Sequence, residues 1–304
     1  MHLLALIPAL LFGIAAAIQS PTNASLAQKT GSTQATLVSF TGGLALLCIL
    51  VPLAGQGNLA GALSVPKWQL IGGLYGAATI FGLTRTIPYL GAALSTTLLV
   101  FGELAMSMLI DSFGLLSMRT IPLNGLRVAG IIALAVGIFL VYLGKRDTAR
   151  KGRNDSARLA LSALACFALG FLAALQAPTN SVLAGNVGYL EASFVNFAVA
   201  WIVVLAIALI KSKGRLKPLK GVRPWQLFGG LYGVIGVVST AIATSLLGAG
   251  LMVATGTFAQ LAASVCIDSK GWLGCRKIRM EPLRTIGVCV IALGIFFTAA
   301  GKIA

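Results

Sequence analysis

The sequence predicts an all-α integral membrane protein whose ten transmembrane helices form two inverted five-helix repeats. Three observations lead there. Of 304 residues, 58% are hydrophobic and only 10% charged, and the mean hydropathy is +0.94; soluble domains carry about 25% charged residues to wet their surfaces. The chain divides into apolar runs long enough to cross a hydrocarbon core, and its second half repeats its first.

A spanning helix needs about 20 apolar residues, each rising ~1.5 Å, to cross roughly 30 Å of hydrocarbon. In the first half such runs lie near 3–27, 33–53, 68–84, 92–110 and 126–143; in the second, near 159–184, 192–210, 225–247, 249–267 and 283–300. They are continuously apolar and rich in Gly, Ala and Leu. That suits helices packed in lipid, not the alternating strands of a barrel. The stretch 3–17 ends among alanines as a secretory signal would, but it lacks a basic leader, and the motif that follows it recurs in mid-chain. It is read as a span.

The net charge of +16, from 23 Lys and Arg against 7 Asp and Glu, would point to nucleic acid in a soluble protein. Its placement gives another meaning. With alternating helices, Lys67, Arg119, Arg127 and Lys302 fall on one side; the remaining cations fall on the other, mostly within 145–158, 211–223 and 270–284. The positive-inside bias puts those three segments in the cytoplasm and both termini in the periplasm or outside the cell. The expected partners are membrane lipids and a small-molecule substrate, with no nucleic acid, in a monomer or homodimer.

A shift of about 157 positions aligns 13–145 with 170–302 without a gap. It carries QSPTN at Gln19 onto QAPTN at Gln176, WQLIGGLYG at Trp68 onto WQLFGGLYG at Trp225, and IDS at Ile110 onto IDS at Ile267. Five spans per copy is an odd number, so the second copy enters the membrane from the opposite side. Repeats of this kind commonly build secondary transporters with a substrate site between the halves. The expected units are residues 1–145, a basic cytoplasmic linker at 146–158, and residues 159–304.

The candidate site residues are the few polar groups within the spans. Gln19 and Asn23, like Gln176 and Asn180, stand at i and i+4 on one helix face, with Pro21 or Pro178 between them freeing backbone groups in an interrupted helix. They read either as substrate ligands or as hydrogen-bonding glue between helices. Glu103 lies about 12 residues into the fourth span, at mid-depth, with Gln260 in the equivalent place. A carboxyl there reads as part of a proton or substrate pathway, or as a protonated group bonded to a neighbouring helix. Tyr75, Tyr232, Phe40, Phe197 and Asn196 are candidates for lining the cavity. Gly72 with Gly76, and Gly229 with Gly233, read as close-packing seams; Trp68 and Trp225 read as interfacial anchors. Asp111 and Asp268 read as helix-end salt bridges or loop clasps, with Arg119 and Arg276 eight residues on, and Arg85 as a residue snorkelling at the cytoplasmic boundary. The single histidine is His2, and Cys48, Cys166, Cys266, Cys275 and Cys289 read as small packing residues. No catalytic residue, metal site or cofactor is expected, and no nucleotide loop is present to drive transport.

The five-helix unit with Gln and Asn in its first helix, a Gly-rich third helix, and Gln-Leu or Glu-Leu followed by Asp in the fourth resembles the YdcZ family of the drug/metabolite transporter superfamily. Gln19, Asn23, Glu103 and Asp111 carry the resemblance in the first copy, and Gln176, Asn180, Gln260 and Asp268 in the second. It implies a fused pair of units, a ten-helix transporter fold and a bacterial inner-membrane location. It also implies Gln where this chain has Glu103. The function expected is secondary transport of a small organic metabolite or drug-like molecule by alternating access, coupled to an ion or to protons. A lipid or polyprenyl-carrier flippase and a non-transporting membrane scaffold are the alternatives.

Overall fold

The computed structural model describes residues 2–90, 92–143, 156–212, 219, 221–274 and 282–303. Among these residues are ten α-helices and no strand. In the first half they are α1 (His2–Thr30), α2 (Ser32–Ala54), α3 (Gly72–Leu90), α4 (Ala92–Phe113) and α5 (Gly125–Leu143). In the second they are α6 (Ser156–Val187), α7 (Tyr189–Ser212), α8 (Gly229–Leu247), α9 (Ala249–Lys270) and α10 (Pro282–Ile303). Six described stretches are long and apolar enough to cross a bilayer: Leu4–Thr30, Ser32–Ala54, Ala157–Val187, Tyr189–Lys211, Pro224–Leu247 and Ala249–Ile267. Gly125–Val141 and Thr285–Thr298 are shorter apolar helices. Most of the linker expected at 146–158 lies outside the described residues, as do Arg276, Cys275 and the side chains of Arg85 and Asp268.

The burial pattern is that of a protein whose solvent is lipid. Leu4, Ile7, Leu11 and Ile14 form an exposed stripe along α1, and Ile132, Val136, Phe139 and Leu143 another along α5. Thr22, Asn180, Asn196, Thr244 and Thr255 are buried instead. In hydrocarbon, apolar side chains gain nothing by turning inward, whereas polar groups must find partners within the protein.

Two local expectations are corrected. The runs starting at Trp68 and Trp225 are not α-helical from their first residue. One 3-10 turn occupies Lys67–Ile71 and another Pro224–Leu227, and the α-helices begin at Gly72 and Gly229. In addition, α1 and α6 run uninterrupted through Pro21 and Pro178. Spanning helices tolerate proline because neighbouring groups satisfy the backbone again, and beside Pro21 the Thr22 hydroxyl donates to Ile18 O at 2.8 Å.

Packing joins the halves more than it joins neighbours within a half. α1 packs on α8 and α9, and α6 on α3 and α4. Helices that correspond in the sequence repeat also pack on each other. In the α5–α10 seam Gly130 meets Gly294 and Thr298, while Gly137 meets Gly287 and Ile291, so the two helices run antiparallel. α2 and α7 run antiparallel too: Leu37 clusters with Val204 and Ala208, and Leu47 with Phe197. Asp111 at the end of α4 meets Ala249 at the start of α9. One-residue turns at Gly31 (φ 89°) and Gly188 (φ 102°) join the first two helices of each half, a backbone region open to glycine without strain. Of the described cysteines only Cys166 is buried, bonding to Thr86 Oγ1 at 3.0 Å. Cys48, Cys266 and Cys289 are exposed on the helix surfaces, where lipid leaves a small apolar thiol as comfortable as a core would.

Candidate functional site

The Gln and Asn residues form two equivalent groups rather than one. In the second half, Asn196 of α7 is the hub: its Oδ1 accepts from Gln176 Nε2 at 3.3 Å and from Asn180 Nδ2 at 3.1 Å. Gly72 at the start of α3 closes this group, because a Cβ there would run into Asn180 Oδ1. In the first half, Gln19 Nε2 donates to Gly229 O at 3.1 Å, and a Cβ on Gly229 would run into Asn23 Oδ1 with Ser39 Oγ at 2.9 Å. Each group therefore joins the first and second helices of one half to the third helix of the other. Ser39, which takes the place of Asn196 in the first half, was not singled out from the sequence. The 157-residue shift pairs the two positions and was the available signal.

Of the aromatic candidates, Phe40 and Phe197 pack on each other between these groups. Phe40 and Phe197 meet edge to face with centroids 5.4 Å apart, an arrangement that favours ring-edge against ring-face electrostatics. Phe197 is buried, and its ring also approaches the places where Gly43 and Gly233 lack a side chain. Tyr75 and Tyr232 are half-buried on α3 and α8. The seam glycines do more than let helices approach: Gly76 leaves room for the Gln176 amide and Gly233 for the Gln19 amide.

Glu103 and Gln260 stand at two close helix crossings, α4 on α6 and α9 on α1. A Cβ on Gly170 of α6 would lie 2.7 Å from Glu103 N, and one on Gly13 of α1 would lie 2.7 Å from Gln260 N. Glu103 is half-buried, and no hydrogen bond or ion pair links it to another described residue.

Asp111 makes the helix-end salt bridge expected of it, but not with the nearby Arg119. Its partner is Arg127, with Nη2 at 3.2 Å from Oδ2, and both residues are 1% exposed. Arg119 is exposed. Sequence distance misleads here because the turn after α4 brings the start of α5, not the nearer Arg119, alongside the carboxylate. Asp111 also accepts from the N–H groups of Ala249 at 2.8 Å and Gly250 at 2.9 Å, capping α9, where the helix N-terminus favours negative charge. Arg127 donates further to the carbonyls of Ile121 and Pro122, and Asn124 Nδ2 donates to Gly301 O at 2.7 Å. The ends of α4 and α10 and the starts of α5 and α9 are thereby held in one latch. Arg127 is thus a structural cation rather than a loop charge.

A pair of clasps built on the repeated Trp-Gln-Leu turns also escaped the sequence reading. Lys29 Nζ donates to Gln226 Oε1 at 3.2 Å and to Gly221 O, and the Gln226 amide donates to Ser25. In the equivalent place Asn186 Nδ2 donates to Gln69 Oε1 at 3.0 Å. Both glutamines are buried, which explains why those turns are 3-10: they present the glutamine to the end of α6 or α1 before the next helix starts. Beside Asn186, the buried Glu191 accepts from Gly57 N–H at 2.9 Å.

Separate from these polar groups, a groove of about 490 Å³ opens between α3 and α6, lined by Gly82, Thr86, Ala165, Ala168, Leu169 and Leu172. None of its described lining residues is charged. Among the described residues there is no group of His, Cys, Asp and Glu able to hold a metal ion.

Comparison with known proteins bears on the whole chain. A family model described as "Putative inner membrane exporter, YdcZ" matches twice, at residues 4–140 and 161–297. No curated protein matches. Among solved structures, one titled only "Crystal structure of protein" is 20% identical, covers 96% of each chain and superposes with a TM-score of 0.64, a likeness of fold.

Proposed function

The chain belongs to the YdcZ family of drug/metabolite-type membrane transporters, and from that premise we propose that it is a secondary transporter moving a small organic molecule across the inner membrane by alternating access. The observation that carries this reading is the antiparallel pairing of corresponding helices, clearest in the α5–α10 glycine seam. A helix and its repeat can pack antiparallel in this way when the halves are related by a two-fold axis perpendicular to them, that is, in the membrane plane. The proposed units are ten spans in two inverted repeats, residues 1–145 and 159–304, joined by a basic cytoplasmic linker at 146–158, with periplasmic termini. The Asp111 latch and the Lys29 clasp lie at opposite ends of the bundle, since the first ties α4 ends to α9 starts and the second ties the α1 end to the turn before α8. Two such closures suit a protein that opens one end at a time.

In this reading the substrate meets Gln19, Asn23, Gln176, Asn180 and Asn196, with Phe40, Phe197, Tyr75 and Tyr232 around them. Glu103 carries the coupling proton, its carboxyl standing without a bonded partner in a position where Gln260 is its uncharged twin. The test is uptake and release of candidate solutes by proteoliposomes holding the purified chain under an imposed pH gradient. Glu103→Gln is expected to reduce gradient-driven accumulation roughly tenfold, about 1.4 kcal/mol, while exchange without a gradient continues. Equal accumulation by the variant and the wild type would remove the proton role.

A flippase for a lipid carrier is the second reading, favoured by the apolar groove between α3 and α6. Scrambling of a fluorescent lipid in the same liposomes, with no solute flux, would select it. Enzymatic activity forms no part of either reading.

A further inference from the structure

Resting on the assignment of the amide groups to substrate, we infer that the Gln176–Asn180–Asn196 group recognises an uncharged carboxamide edge, a donor beside an acceptor, rather than a cation or a carboxylate. The hydrogen bonds inside the group decide which way each amide faces. Asn196 Oδ1 accepts from both Gln176 and Asn180. Asn196 Nδ2 and Asn180 Oδ1 are then left over, both buried and both without a partner. Each residue is 1% exposed, so bulk water does not satisfy them. Native interiors leave few such atoms, and each calls for a reason.

One spare donor and one spare acceptor on bonded neighbours complement a carboxamide or lactam, whose C=O accepts from Asn196 Nδ2 and whose N–H donates to Asn180 Oδ1. An ammonium group offers no acceptor to Asn196. A carboxylate offers no donor to Asn180. Either would leave one atom unpaired and would bury a net charge, and among the described residues no charged side chain is hydrogen-bonded to any of the three amides. The missing Cβ of Gly72 lets α3 lie against Asn180 Oδ1, so a ligand N–H reaches that oxygen only as α3 draws back from it. The first-half group differs in the residue that matters: Ser39 stands where Asn196 stands and supplies a hydroxyl in place of the amide donor. The carboxamide preference therefore belongs to the second-half group.

The test uses the purified full chain in detergent and three probes that share one ring and differ in the polar group: benzamide, benzoate and benzylamine as its ammonium. Benzamide is expected to raise the unfolding temperature progressively with the logarithm of its concentration above Kd, with benzoate and benzylammonium at least tenfold weaker in apparent affinity. Asn196→Asp turns the spare donor into an acceptor; it is expected to lose the benzamide shift and to gain one with benzylammonium. Asn196→Ser, which copies the first-half residue, is expected to lose the benzamide shift without that gain, and serves if the acidic variant does not fold. A shift with benzoate or benzylammonium in the wild type, no shift with any probe, or an undiminished benzamide shift in the Asn196 variants would overturn the inference. Liposome flux separates it from the transport reading. Benzamide binding without flux of any solute leaves this inference standing and overturns transport, whereas flux confined to charged solutes does the reverse.

Discussion

Asp111→Ala is expected to lower the stability of the protein by about 3–5 kcal/mol, the range for breaking a buried ion pair from one side. The variant leaves the Arg127 guanidinium 1% exposed with its carboxylate removed, and it strips the acceptor from two N–H groups at the start of α9. Arg127→Met is expected to be milder, because Asp111 keeps both backbone donors and the helix N-terminus. Combining Asp111→Asn with Arg127→Met removes both charges and should recover much of the loss, since a matched neutral pair avoids burying an uncompensated ion. Arg119→Ala, on the exposed residue the sequence would have paired with Asp111, is expected to stay within about 0.5 kcal/mol of wild type. Denaturant unfolding in detergent orders the four variants. A double variant no more stable than Asp111→Ala would show that the lost cap, not the stranded charge, sets the cost.

The second large effect is expected at the α4–α6 crossing. A Cβ on Gly170 would collide with Leu99 O and lie 2.7 Å from Glu103 N and 2.8 Å from Gly102 Cα. All three are backbone atoms, which cannot move aside as a flexible side-chain end can. Gly170→Val is expected to destabilise by about 3 kcal/mol, the upper part of the range for overpacking, and to abolish transport by prising α6 off the helix that carries Glu103. Gly185→Ala, on the same helix with nothing within 4 Å of its added methyl, is expected to stabilise by about 0.5–1 kcal/mol. Opposite signs from two glycines on one helix would distinguish close approach from helix propensity, and equal signs would refute the crossing.

Much of the fold was legible because the bilayer enforces a simple rule: an apolar run of sufficient length is a helix. The runs near 92–110 and 249–267 begin where α4 and α9 begin. Legibility failed where a residue's partner lies far along the chain. Arg127 is sixteen positions from Asp111, and Ala249 is 138 positions away. Nothing local to Asp111 announces either, and the nearer Arg119 offers a false match. Gln69 and Gln226 were equally plain in the repeated Trp-Gln-Leu turns, yet attention goes to the tryptophan because an interfacial ring is a recognised signal, whereas a buried glutamine declares itself only through what it holds. The Gln and Asn residues were found by type and spacing. That they divide into two groups, one centred on Asn196 and one including Ser39, depends on which helix of the opposite half each one meets. Glu103 was likewise placed within its span, but its position at a helix crossing follows from Gly170, 67 residues away.

The α5–α10 seam also bears on what each copy of the repeat is free to change. Gly130 corresponds to Gly287 and Gly137 to Gly294 under the repeat, so the seam is one surface meeting its own copy, the contact by which two identical subunits close a pair. In a pair of identical subunits any change would appear on both sides of such a contact and at every equivalent site. A carboxyl could not be tried at one crossing without its being forced on the other. Two copies in one chain are free of that constraint, and they differ at Glu103 against Gln260, Asn196 against Ser39, Glu191 against Gln34, and Lys29 against Asn186. The glycines of the seam are alike because one packing contact requires both, while the polar positions, which do not meet their own copies, are free to differ.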